Sequence, residues 1–190
     1  MILLIDNFDS RMSEFYKYIT RIYSDIIVLR NDEMCCDDIL ATDPDGIIIG
    51  SGVGRVQDTG VCGDIIETVL GKIPLLCIGL GAEVLSERIG CEFIKSPNDK
   101  YSCFMAADST SPLFEGVSSA ISCTANIKRV ISPYSCGENV TLTARDEYDR
   151  YLAFEDRKKN AFGICAYPVF FGEDGEKIMR NFVRISERNV

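Results

Sequence analysis

Along the chain, short continuous apolar runs alternate with amphipathic stretches of helical length. Residues 2–5 (ILLI) are wholly apolar and precede a helical pattern over 10–23. The alternation continues through 25–30 (DIIVLR), a short acidic helix near 37–40, 46–50 (GIIIG), a helix near 60–70, 73–78 (IPLLCI) and a helix over 81–89. Strands apolar on both faces and separated by helices predict a parallel sheet covered by helices on both sides. After residue 90 the runs shorten, at 91–94, 101–106, 120–124, 139–144, 151–155 and 161–167, before a closing helix over 173–185. Successive strands without helices between them predict that the second half of this mixed sheet is largely antiparallel. No repeat or Pro/Gly-rich linker divides the 190 residues, so one domain over 1–190 is expected.

Composition narrows the class. Hydrophobic residues make up 46% and charged residues 26%, as in ordinary globular proteins. The longest apolar runs have strand length, far short of the roughly 20 residues a membrane span needs, so no membrane association is expected. The first residues lack the basic flank and cleavage site of a secretory signal, and a cytoplasmic location is expected. Nine cysteines, scattered without CxxC spacing, read as reduced buried thiols. With no histidine and no paired-cysteine motif, no metal site is expected. A net charge of −9 argues against nucleic-acid binding.

In an open parallel sheet, ligands bind beyond the carboxyl ends of the strands. The loops there read DNFDS (6–10), GSGVGRV (50–56) and GLGAE (79–83). Together with RND (30–32), KIPLLCIGLGAE (72–83), PLFEGV (112–117), FGICAYPVFF (162–171) and IMRNFV (178–183), they make the chain resemble the class I glutamine amidotransferases over essentially its whole length. The resemblance is closest to the small subunits of anthranilate and aminodeoxychorismate synthases. It implies an α/β, flavodoxin-like mixed sheet with a parallel core and helices on both faces, no cofactor, and, as partner, the large subunit of a chorismate-using synthase.

The departures from the family pattern are informative. Where the family carries its nucleophilic cysteine, its histidine base and the glutamate that orients it, this chain has Gly79, Tyr167 and Val169. The resemblance therefore implies a degenerate domain without glutaminase chemistry. Gly52, Val53, Gly54, Leu80 and Glu83 match the oxyanion and glutamine site, which is expected to be vestigial. The family's GHQ becomes Gly81, Ala82 and Glu83, and its YHSL segment aligns with Asn126, Ile127, Lys128 and Arg129.

Other residues have plainer readings. Cys77 precedes the turn and should lie beneath it in the core. Ser10 is a candidate N-cap with Glu14 in the first helical turn, which makes Asp6, Asn7 and Asp9 loop packing. Tyr167, Phe170 and Phe171 are expected to fill the vacated pocket, Arg157, Lys158 and Lys159 to form a solvated hairpin turn, and Arg55 to face solvent. Two functions remain open: a non-catalytic partner or regulatory subunit, and a repurposed enzyme or small-anion sensor using the old oxyanion loop with Asp6, Asp9 or Glu83.

Overall fold

A computed structural model describes residues 1–96, 102–124 and 127–187. The first half runs β1 (Ile2–Asn7), α1 (Met12–Ile19), β2 (Ile26–Arg30), α2 (Cys36–Leu40), β3 (Gly46–Gly52), α3 (Cys62–Val69), β4 (Leu75–Ile78) and α4 (Leu80–Ile89). The second half runs β5 (Phe93–Lys95), β6 (Ser102–Ala107), β7 (Ile121–Thr124), β8 (Arg129–Ile131), β9 (Thr141–Asp146), β10 (Tyr151–Asp156), β11 (Ala161–Ile164) and α5 (Gly172–Glu187).

One sheet carries them in the order β2-β1-β3-β4-β11-β10-β9-β6-β7, with β8 on β10 and β5 on β8. Pairing is parallel from β2 through β11 and antiparallel from there to β7. The change of direction predicted near mid-chain is thus observed, with β11 as the seam. Because side chains alternate along a strand, β1 sends Ile2 and Leu4 into a core with α1 and α5, and Leu3 and Ile5 into a second core with α2, α3 and α4. Each such fully buried aliphatic side chain contributes about 1.5–3 kcal/mol. The helices follow the same logic: α1 buries Met12, Phe15 and Ile19, and α3 buries Cys62, Ile65, Ile66 and Val69.

Several expectations need correction. Ser10 does not cap α1; the helix begins two residues later, and Asp9 makes the turn instead, its Oδ1 accepting the Arg11 N–H at 2.9 Å. The strand expected from residue 73 starts after Pro74, which has no N–H for the ladder. The strand expected to reach 167 stops at Ile164, where the chain turns towards the 3₁₀ turn Pro168–Phe171. Strand β8 was not anticipated. Tyr101 and Asn126 lie outside the described residues.

Candidate functional site

The junction of β4 and α4 is a sharp turn at Gly79, with φ 56° and ψ −114°. Its N–H donates to the Ile164 carbonyl at 2.8 Å, which fixes the turn to β11. This positive φ strains any residue with a side chain. A side chain there would also force Ser51 to shift: a Cβ on Gly79 would lie 2.3 Å from Ser51 Oγ and 2.7 Å from Ser51 Cβ. The Ser51 side chain occupies the volume above the turn.

Ser51 is held there by a buried node at Asn7. Asn7 Nδ2 donates to the Gly50 carbonyl at 2.8 Å, while its Oδ1 accepts Asn31 Nδ2 at 2.8 Å and the Cys62 thiol at 3.1 Å. Gly52 lies so close to the Asn7 carbonyl that a Cβ would approach it to 2.2 Å. The DNFDS segment therefore works as loop packing, as expected for Asn7. Asp6 Oδ1 accepts the Asp9 N–H, and Asp9 carries Arg11.

Tyr167 is 2% exposed and packs on Phe15 with ring centroids 4.8 Å apart. The Arg11 guanidinium stacks over both Tyr167 and Phe170, 5.2 Å from each centroid. Burial pushes the Tyr167 phenol well up, so it stays protonated. Phe171 is buried, while Val169 and Phe170 are half-buried and pack against the same core. Tyr167 and Phe171 do fill space, yet a cleft of about 420 Å³ remains beside them.

That cleft is walled by Ser51, Gly52, Val53 and Gly54, and floored by Gly79 and Leu80, with Glu83, Phe93 and Cys165 opposite. Arg11, Lys128 and Arg129 stand around it. Glu83 faces the site: burial raises its carboxyl despite the Arg129 guanidinium 2.9 Å away. Burial, then the Glu83 charge, pushes up the Cys165 thiol. Cys77 is fully buried beneath the turn, and burial raises its thiol far above the ordinary value. Neither sulfur is poised as a thiolate. Of the 127–129 segment, Lys128 and Arg129 reach the cleft, whereas Ile127 is 2% exposed and belongs to the core.

Outlying candidates resolve simply. Arg55 is exposed and pairs with Asp58 at 3.4 Å. Arg157 and Lys158 are exposed in a 3₁₀ turn between β10 and β11, although Arg157 also holds the buried Glu155. Cys103, Asp146 and Glu147 bring three possible metal-ligand atoms within 4.8 Å of one another. Asp146 already accepts Arg150 Nε at 2.6 Å and the Tyr148 and Arg150 N–H groups, so the guanidinium supplies the positive charge there. Sequence reasoning missed four cleft residues: Arg11, Ser51, Phe93 and Cys165. Ser51 lies within the quoted loop GSGVGRV and Arg11 directly follows DNFDS, so the signal lay in segments already singled out.

The family model for glutamine amidotransferase class-I matches residues 3–184. The chain belongs to that family. This class I amidotransferase domain is homologous to anthranilate and aminodeoxychorismate synthase component 2 chains. It is 27% identical over 191 residues to aminodeoxychorismate synthase component 2 of Escherichia coli, covering 96% of this chain and 99% of that one. It is 29% identical over 188 residues to anthranilate synthase component 2 of Cyanophora paradoxa, covering 96% of this chain and 98% of that one. Against the bifunctional protein TrpGD of Thermotoga maritima it is 26% identical over 193 residues, spanning all of this chain but only 33% of that longer protein. A solved glutamine amidotransferase structure from Thermotoga maritima superposes with a TM-score of 0.73 at 13% identity, covering 97% of this chain and 96% of that one. The amidotransferase domain thus has the family's mixed α/β sheet. Among the described residues, no helix is long and apolar enough to cross a membrane.

Proposed function

We propose that this amidotransferase domain has no glutaminase activity and serves as a non-catalytic partner or regulatory subunit of a chorismate-using synthase. The observation that carries the reading is the Ser51 side chain seated where a Gly79 Cβ would have to be. Covalent amide hydrolysis needs a nucleophile and a base beside it. Gly79 offers neither, Tyr167 is a buried phenol under a guanidinium, and the chain has no histidine. Gly52, Val53, Gly54, Leu80 and Glu83 keep the outline of an oxyanion and substrate site, with Lys128 and Arg129 where small polar contacts would hold an amino acid. The relatives named as synthase component 2 support the partner assignment, because such a subunit would leave a large chain to use free ammonia.

Glutamine hydrolysis and binding decide the matter. The purified chain, alone and with a synthase large chain, is expected to release no glutamate from glutamine and to give no saturable heat with it. Turnover, or binding at millimolar affinity (about 4 kcal/mol), would overturn the reading. The repurposed-enzyme alternative gains no support from the carboxylates, since Asp6 and Asp9 are engaged in their own turn and Glu83 pairs with Arg129.

A further inference from the structure

The cleft at Gly79 is neither sealed nor neutral. On a chain whose net charge is −9, three cations, Arg11, Lys128 and Arg129, converge on one concavity. Glu83 is the one carboxylate lining it among the described residues, and its partner is Arg129. Asp9 pairs with Arg11, whose guanidinium also lies 5.2 Å from the ring centroids of Tyr167 and Phe170. Lys128 makes no ion pair among the described residues and is exposed, so its ammonium charge is uncompensated. The floor adds to the same sign: α4 is ten residues long, begins at Leu80 in the cleft and has no side-chain cap. Three converging cations, a single carboxylate and an uncapped helix start in a cleft of about 420 Å³ form a concave electropositive site of small-ligand size.

We infer that this cleft binds a small, multiply charged oxyanion, a dicarboxylate or a phosphate, between Arg11, Lys128 and Arg129 over the start of α4. The inference rests on the reading that glutamine is no longer the occupant. Guanidinium forks suit carboxylate and phosphate oxygens alike, so the chemistry common to both classes is what the site selects. The ammonium group of a zwitterionic amino acid would be repelled by these cations, whereas a dianion is attracted throughout.

Titration calorimetry with succinate and with inorganic phosphate, at low ionic strength, tests the site on the intact chain. At least one should bind saturably, and Lys128→Glu should weaken it about tenfold or more, while Lys128→Arg stays within about threefold. Heat with succinate alone assigns a carboxylate occupant, and heat with phosphate alone a phosphorylated one; either supports the site. No saturable heat with either anion up to about 10 mM, or an isotherm that Lys128→Glu leaves unchanged, overturns the inference. Circular dichroism of each variant confirms that it is folded. Glutamate release by the unmodified chain is a separate signal: it would sink the non-catalytic reading, whereas a flat anion isotherm would leave that reading standing.

Discussion

At the scale of single residues, Ser51 and Arg11 determine what the turn at Gly79 can do. A cysteine at 79 must take a positive φ and displace the Ser51 hydroxyl. Gly79→Cys is therefore expected to release no glutamate and to lose about 1–3 kcal/mol in urea unfolding. Adding Ser51→Gly should return part of that loss, with a coupling of about 0.5–3 kcal/mol; strictly additive losses would clear Ser51 as the obstacle. Arg11 acts on the base position in a different way. An imidazole placed there by Tyr167→His, beside Gly79→Cys and Val169→Glu, would sit under a guanidinium, and a like charge disfavours the imidazolium that a working base must become. The imidazole should titrate lower with Arg11 present than with Arg11→Phe, as followed by NMR, and the triple variant should release almost no glutamate. Both residues stand in plain view in DNFDSR and GSGVG. What the letters cannot convey is that two loops about 40 residues apart bring these side chains over one glycine and one aromatic ring.

At the scale of elements, α5 depends on its first turn. Asp174, 8% exposed, accepts the Ser118 N–H at 2.9 Å, the Ser118 hydroxyl at 3.0 Å and Lys177 Nζ at 3.0 Å. Burial works against its charge, but these donors outweigh it and hold the carboxyl below its ordinary 3.8. A depressed carboxyl gives stability that is fully present above the unfolded value and is lost as pH falls through the folded one. Asp174→Asn should cost about 1.5–3 kcal/mol near neutrality, and the gap from the unmodified chain should close below about pH 4 in denaturant melts. A constant gap across pH would mean that the charge is not what matters. The parallel half was legible because its strands are uniformly apolar and its helices carry whole amphipathic turns. β8 was not, since three residues show no period, and they form a strand only because β5 and Tyr151 lie alongside. Nor was the start of α1, where Asp9 competes with Ser10 for the same backbone turn.

At the scale of the whole molecule, the rim beside the cleft is the surface that the partner reading needs. Val53 is 79% exposed at the tip of its loop, next to the exposed Arg55. Val53→Asp and Arg55→Glu should each weaken association with a synthase large chain by about tenfold in sedimentation at micromolar concentration, without altering the fold. Unchanged association in both would move the interface elsewhere. The mixed sheet itself was readable from the order of runs along the chain, whereas the cleft and its charge arise only where the ends of β3, β4 and β8 meet the loop after β1. The overlap between Ser51 and a side chain at 79 also bears on the paths open to the gene. A side chain introduced first at 79 is penalised by crowding, and a smaller residue introduced first at 51 leaves an empty space with no benefit of its own. The turn therefore behaves as a steric latch, closed by packing between two loops and independent of any histidine.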